Sequence, residues 1–392
     1  MRRKPVVAKI IDSFFGTGGS YKSTRRFATG LAERGYSIIV MTSRTKGHEK
    51  IKLPRNLKIV YFHGIPFPQT NKNIKIVIPD IYKIAKCFIK ERVDIVHVCE
   101  PTPLGWCAIA AARITGIPVV ASNHFQPEHI LPGIKKFNKD VTKRTLNRYA
   151  ASLYNNCDYV IAPSRYSESY LRSIGVHAPI AVISNGVQAD FFKPLRKQAI
   201  SDALKNKRIV LSVSRLNSDK RIDLIVKSMV HVVKEVPNAH LVVVGAGFEE
   251  DSLRKLVRDT GVQDSVTFSG FVEESEKPRY YSASDVFVSA CDCELEGMSI
   301  LEAMACGSPI IVSDAKTSAA SQFIENNGFT FRSGNEKDLA KNIVRVLSSK
   351  NIRRMRTASV LEARRYSFKD SVDKLEAVYA TVLESAGSNP TR

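Results

Sequence analysis

The chain is short of long apolar runs. Its apolar runs, such as Ile209–Leu211 and Leu241–Val244, are strand-sized, far below the ~20 residues that a spanning helix needs. The opening Met1-Arg-Arg-Lys-Pro-Val-Val is basic, but its apolar run ends at Ile11 against Asp12, which is not the pattern of a signal peptide. Cysteine is sparse, with seven residues, an odd count, and no framework spacing, so the expected setting is a reducing cytoplasm. Only Cys291 and Cys293 are close, and no His/Cys cluster joins them, so no metal site is expected. Two nucleotide motifs are incomplete. Gly16-Thr-Gly-Gly-Ser-Tyr-Lys22-Ser23 has Tyr21 where a phosphate loop needs glycine before the lysine, and His240-Leu-Val-Val-Val-Gly-Ala-Gly247 lacks the third glycine of a dinucleotide fingerprint. A nicotinamide cofactor is therefore discounted. There is no tandem repeat, and no basic motif interleaved with aromatics to suggest a nucleic-acid partner.

Acidic residues are scarce in one half only. Residues 1–196 hold 31 Lys+Arg against 12 Asp+Glu, whereas the rest holds 28 against 26. Nearly all of the net charge of +21 therefore sits in the N-terminal half. Such a one-sided field attracts a polyanionic surface: anionic lipid, nucleic acid or an anionic polymer.

What is present is a repeated strand–helix alternation. The 392 residues exceed one ordinary core and suit two domains of roughly 150–200 residues. Strands are expected at Val6–Ile11, Ser37–Met41, Ile59–Phe62, Ile95–Val98, Val119–Ser122 and Tyr159–Ala162. A second series starts at Arg208–Ser214 and continues through His240–Val244, Val266–Phe268, Asp285–Ala290, Pro309–Ser313 and Gly328–Phe331. This period implies doubly wound, mostly parallel sheets, with ligands beyond the carboxyl ends of the strands. The N-terminal domain is placed at 1–195 and the second at 196–369. A closing helix follows at 370–385, and a disordered tail at 386–392.

Four stretches fall at strand ends. Gly18-Gly19 permits close backbone approach to a ligand, or is a plain tight turn. His124, after the Val119 strand, suits positioning of an acceptor hydroxyl proton or a structural hydrogen bond. Arg215 and Lys220 offer a fork and a point charge five residues apart, a pairing that fits a diphosphate. Cys293-Glu-Leu-Glu-Gly-Met-Ser-Ile-Leu-Glu-Ala-Met-Ala-Cys-Gly307 reads as a loop opening into a helix, with backbone N–H groups aimed at an anion. Glu294 and Glu302 frame it, Glu302 being expected in the first helical turn. Carboxylates there suit sugar or ribose hydroxyls at about 1.5–3 kcal/mol per charge-assisted bond. A helix-start glutamate also stabilises the macrodipole by about 0.3–1 kcal/mol with no ligand at all. A further stretch, Leu131–Arg148, is basic and amphipathic. Its Lys135, Lys136, Lys139, Lys143, Arg144 and Arg148 either lie on an anionic bilayer or form a solvated helix face.

The Glu294-x7-Glu302 string followed by Ala303-Met-Ala-Cys-Gly307 resembles the E-x7-E segment of family-four retaining glycosyltransferases of the GT-B fold. The resemblance covers nearly the full length and is nearest to bacterial lipid glycosyltransferases. One departure is that many relatives have Glu-Gly-Phe-Gly-Leu where this chain has Glu294-Leu-Glu-Gly-Met-Ser. Glu296 thus competes with Glu294, although its spacing to Glu302 is two residues short.

The resemblance implies two Rossmann-like α/β domains facing across a cleft, the first taking the acceptor and the second the nucleotide sugar, with the closing helix returning to the first. It implies transfer of a hexose, with retention, from a nucleotide-diphosphate sugar (UDP is the guess) and no metal. Arg215, Lys220 and the N–H groups of Gly297, Met298 and Ser299 would meet the diphosphate, Glu302 the ribose, Glu294 the sugar, and His124 the acceptor. Gly18 and Gly19 would line the donor side, and Phe271 and Val272 the base. The charge asymmetry favours a lipid acceptor, with the protein peripheral to the inner membrane face. A soluble or polysaccharide acceptor, a nucleic-acid binder and an inactive two-lobed binding protein are the other readings.

Overall fold

In this computed structural model, residues 3–16, 18–44, 52–66, 75–129, 131, 138–196 and 200–388 are described. The chain divides into two compact units, Met1–Ser184 with Ser371–Arg392, and Asn185–Asp370.

The first unit runs β1 (Val6–Ile10), α1 (Gly19–Glu33), β2 (Ser37–Ser43) and β3 (Leu57–Phe62), then an antiparallel hairpin of β4 (Gly64–Pro66) and β5 (Lys75–Val77). It continues with α2 (Ile81–Lys90), β6 (Ile95–Val98), α3 (Pro103–Ile114), β7 (Val119–Ser122), α4 (Lys139–Tyr154), β8 (Tyr159–Ala162), α5 (Arg165–Ser173) and β9 (Ile180–Val182). The seven-stranded sheet has the order β3-β2-β1-β6-β7-β8-β9, and every pairing in it is parallel. Burial of most of these strands on both faces explains why they read as largely apolar runs. Val6, Ala8 and Ile10 point into one apolar core with Val96, Val98, Val119 and Ala121. The alternate residues Lys9, His97 and Ser122 therefore share the opposite face. Helix starts follow their capping chemistry: Asp80 accepts from Lys83 N, Thr102 precedes Pro103 at the start of α3, and Ser164 accepts from Ser167 N.

The second unit runs β10 (Arg208–Val213), α6 (Ile222–Glu235), β11 (Ala239–Val244), α7 (Glu250–Asp259), β12 (Val266–Gly270), α8 (Lys277–Ala283) and β13 (Val286–Ser289). After these come α9 (Met298–Ala305), β14 (Ile310–Ser313), β15 (Gly328–Phe331), α10 (Glu336–Leu347) and α11 (Ile352–Arg364). Its six strands have the order β12-β11-β10-β13-β14-β15, all parallel. The order reverses between β10 and β13, as it does between β1 and β6 in the first unit. Such a reversal leaves an open crevice at the carboxyl ends of the two strands.

Segment 185–195 belongs to the second unit. Asn185 bonds Glu296 through its backbone N at 2.9 Å and its side chain at 2.6 Å, and Phe192 packs on Tyr281. The last helix, α12 (Phe368–Gly387), is longer than the expected 370–385. Residues 386 and 387 are helical rather than part of a loose tail, and 389–392 lie outside the described residues. From Ser371 on, α12 belongs to the first unit, where Lys4 Nζ meets Glu376 at 2.9 Å. Among the described residues no helix is long and apolar enough to cross a membrane.

Candidate active site

In the second unit, β10 is followed by Ser214 and Arg215, and a short turn at Ser218–Lys220 leads into α6. The lysine is set by backbone geometry: Lys220 N bonds Asn217 O at 3.0 Å, and Arg221 adopts the left-handed conformation at φ +50° as the residue before α6. The left-handed region is costly for a non-glycine residue, of order 1–3 kcal/mol. Arg221 is held there by Asp223 at 3.1 Å and Asp292 at 3.0 Å. The glycine turn after β11 serves this loop. Leu216 N bonds Ala246 O at 3.1 Å, and a Cβ on Gly245 would fall 1.8 Å from Ser214 O. Its glycines therefore allow two loops to pack closely.

Across the strand reversal, β13 delivers Cys291 to Glu296. Lys220 Nζ donates to Glu294 Oε1 at 2.7 Å and to Cys291 Sγ at 3.3 Å, with Asp219 Oδ2 also at 3.3 Å. The lysine side chain is 12% exposed and Glu294 is 19% exposed. Burial opposes the ammonium charge, but the Glu294 and Asp219 carboxylates outweigh it and hold Lys220 well above the usual lysine range. Burial also pushes the Cys291 thiol up, so the sulfur stays protonated. Glu294 is fixed from behind, since its carbonyl accepts from Ala319 N at 2.8 Å. Asp292 ties the loops together: it receives Arg221, Ser333 Oγ at 2.9 Å and, at its carbonyl, Thr317 Oγ1.

Gly297, at φ +102°, turns the chain into α9, where a Cβ would meet Ile300 Cδ1 at 2.7 Å. Ile300 N and Leu301 N bond Gly297 O. The N–H groups of Met298 and Ser299 have no acceptor among the described residues, as is usual at the start of a helix.

Arg215 is exposed, and its guanidinium makes no ion pair among the described residues. Glu302 lies in the second turn of α9, not the first, because the helix begins at Met298. It is buried, and its Oε2 accepts from Tyr281 Oη at 2.9 Å and Lys277 Nζ at 3.3 Å. Glu296 is only 2% exposed, and its Oε2 is the acceptor for both Asn185 donors. Phe271 is exposed after β12, whereas Val272 packs on the core.

In the first unit, Gly18 precedes α1 and is buried, and Gly19 opens the helix. The turn after β7 is set by Asn123, whose Oδ1 accepts from Phe125 N at 3.1 Å and Tyr154 Oη at 3.0 Å. It places His124 on a small cavity with Lys9, His97, Ser122 and Cys99. Burial, then the Lys9 charge, lowers His124 to about 4. It is therefore a neutral imidazole at neutral pH, fit to accept a hydrogen bond but poor at keeping a proton. Beneath it a buried chain runs across the sheet. Lys9 Nζ sits 3.2 Å from His97 Nδ1, which bonds Tyr379 Oη of α12 at 2.6 Å, and His97 Nε2 meets Ser122 Oγ at 2.7 Å. Sequence reading passed over this chain, although a lysine inside Val6-Val-Ala-Lys-Ile was a visible signal.

Of the basic stretch, Lys135 and Lys136 lie outside the described residues. Lys139, Arg144 and Arg148 are exposed on α4 beside Val141, itself 58% exposed, while Lys143 pairs with Glu128 at 2.6 Å.

Comparison with known proteins agrees with this layout. The model for Glycosyltransferase Family 4 matches residues 17–191, and that for Glycosyl transferases group 1 matches 196–360. The chain is similar to the alpha-monoglucosyldiacylglycerol synthase of Streptococcus pneumoniae, 27% identical over 78% of this chain and 70% of that one. It is also similar to the GDP-mannose-dependent alpha-(1-6)-phosphatidylinositol monomannoside mannosyltransferase of Mycolicibacterium smegmatis, 29% identical over 77% and 78%. The structure of Anabaena Alr3699/HepE in complex with UDP-glucose superposes with a TM-score of 0.76 at 20% identity, covering 96% of this chain and 100% of that one.

Proposed function

The chain belongs to the GT-B glycosyltransferases that join a family 4 domain to a group 1 domain, and from that premise we propose a retaining, metal-independent hexosyltransferase. Its donor is a nucleotide-diphosphate sugar, with UDP first, and its acceptor is a hydroxyl of a membrane lipid at the cytoplasmic face. The observation that carries this is the meeting of Lys220 with Glu294 at the β10–β13 reversal, just before the open N–H groups of α9.

In this reading the diphosphate rests on Met298 N and Ser299 N, with Arg215 and Lys220 meeting the charge that develops as the sugar departs. Fixed donors and cations at such a position are worth about 2.7–4 kcal/mol each, and here they take the place of a metal. Glu294 orients Lys220 through one oxygen and offers the other to the sugar hydroxyls. Glu302 keeps its place toward the ribose, steadied by Tyr281 and Lys277. Phe271 and Val272 border the base. In the first unit Gly18 and Gly19 permit close backbone approach to a ligand, and His124 accepts a hydrogen bond from the acceptor hydroxyl. Because His124 holds a proton so weakly, the departing phosphate oxygen is the proton's destination. No side chain is marked as a covalent nucleophile, which favours attack from the face the diphosphate leaves.

The lipid acceptor is supported by the exposed Lys139, Arg144, Arg148 and Val141 of α4, and by the lipid-acting relatives named above. UDP is supported by the ligand of the Anabaena neighbour. The test is a panel of nucleotide sugars with anionic liposomes, following released nucleotide. Release that needs both donor and lipid, and is lost in Lys220→Ala, supports the reading. Absence of turnover with every donor overturns it, and turnover indifferent to liposomes moves the acceptor to a soluble molecule.

A further inference from the structure

The first unit holds a lysine inside a strand that is otherwise apolar. Lys9 stands in β1 between the core residues Ala8 and Ile10 and is only 1% exposed. It faces the other side of the sheet and lines a small cavity there. Among the described residues the polar lining of that cavity is Lys9, Thr24, His97, Cys99, Ser122 and His124, with no carboxylate. The room inside is that of about one water-sized guest. Five of the six polar groups are buried, and His124 is half-buried, which makes it the side of the cavity nearest solvent.

The hydrogen-bond chain around this cavity leaves donors over. Lys9 Nζ has His97 Nδ1 at 3.2 Å, but Tyr379 Oη stands nearer to the same nitrogen, at 2.6 Å. A hydroxyl donating to Nδ1 puts the ring proton on Nε2, which then donates to Ser122 Oγ at 2.7 Å. The Ser122 hydrogen and the ammonium hydrogens of Lys9 are thereby left without acceptors in this chain. The Phe27 ring lies 6.0 Å from Nζ, at the limit of a cation–π contact. Among the described residues no carboxylate pairs with Lys9. Cys99 is the one lining group able to become an anion, yet its thiol donates to His97 O at 3.7 Å, and burial pushes its pKa up. The sulfur therefore stays neutral.

A buried ammonium without a counter-charge either gives up its proton or acquires a partner. Burial does lower Lys9 from the ordinary lysine range. A water in the cavity answers the spare hydrogens but not the charge, whereas an anion answers both. We propose that the cavity is a site for one small monovalent anion, of about the size of chloride, held by the Lys9 ammonium and the Ser122 hydroxyl. The basic half of the chain, with 31 Lys+Arg against 12 Asp+Glu in residues 1–196, concentrates anions around it. The bound ion also steadies α12, because Leu375 lines the cavity and Tyr379 closes the chain on His97.

The full-length protein is melted at pH 7 in sodium chloride and in sodium gluconate at equal ionic strength, so that the basic surface is screened alike in both. Tm should rise saturably with chloride alone, by about 3–6 °C once chloride stands roughly fifteenfold above its dissociation constant. Lys9→Met, similar in length but uncharged, should melt at one temperature in the two salts. Amide exchange of residues 371–387 should be slower in chloride than in gluconate for the parent, and equal for the variant. A parent that melts alike in both salts, as a water-filled cavity would give, overturns the proposal. So does a chloride effect that survives in Lys9→Met. If Lys9→Met fails to fold, Ser122→Ala is read instead: a chloride dissociation constant at least threefold weaker supports the site, and an unchanged one refutes it. Neither readout uses turnover, so the anion site stands or falls apart from the transferase reading.

Discussion

Two glutamates compete for the sugar-facing role, and the structure gives them different work, so replacing each should produce different failures. Glu296 accepts from Asn185 N at 2.9 Å and from its side-chain amide at 2.6 Å, with only 2% exposure. Glu296→Ala leaves two buried donors without that acceptor, at about 1–3 kcal/mol each. A total near 3 kcal/mol, at about 2–4 °C per kcal/mol for a unit of this size, lowers Tm by roughly 6–12 °C. Glu294→Gln keeps an acceptor for Lys220, which also retains Asp219 at 3.3 Å, so its Tm should move by no more than about 4 °C. What it loses is charge on the bonds to Lys220 and the sugar, about 1.5–3 kcal/mol, or roughly ten- to 150-fold in kcat/KM. Scanning calorimetry and nucleotide release, assayed well below either Tm, separate the two. A Glu296→Ala protein with unchanged Tm and lost turnover would refute the assignment and make Glu296 the sugar-facing group.

Further outcomes follow from the first unit. Folded His124 takes its proton near pH 4 against about 6.5 when unfolded, so the unfolded chain binds more protons between those values. Stability should therefore fall as pH drops from 6.5 towards 4, and denaturant melts of His124→Gln should show a shallower slope over that window. Tyr379→Phe removes the hydroxyl 2.6 Å from His97 Nδ1 and should cost about 1–3 kcal/mol, with faster amide exchange along α12. Lys139→Gln/Arg144→Gln/Arg148→Gln should weaken binding to anionic vesicles by about 3 kcal/mol, or roughly 150-fold, at low salt. The same protein should bind neutral vesicles as the parent does, by cosedimentation.

Much of the fold was legible because both sheets are parallel and covered on both faces, so each strand announced itself as an apolar run between turn residues. The β4–β5 hairpin and the helices α5, α7, α8 and α11 were not read out. Their patterns are short or mostly polar, and tertiary packing defines them. At the site, the Glu294–Glu302 spacing and the Arg215–Lys220 pair were visible as sequence. That Cys291 touches Lys220, and that Asp292 ties Arg221 to Ser333, was not, because residues about 40–70 apart meet only through the β10-β13-β14-β15 strand order.

The central claim is that Lys220 and the start of α9 grip a diphosphate. Calorimetric titration of uridine, UMP and UDP into the wild type and Lys220→Ala tests it most directly. The account predicts that UDP binds the wild type well above UMP, and that Lys220→Ala loses about ten- to 150-fold for UDP, the worth of a charge-assisted bond of about 1.5–3 kcal/mol, while uridine is unaffected. Equal UDP affinity in the two proteins would contradict it.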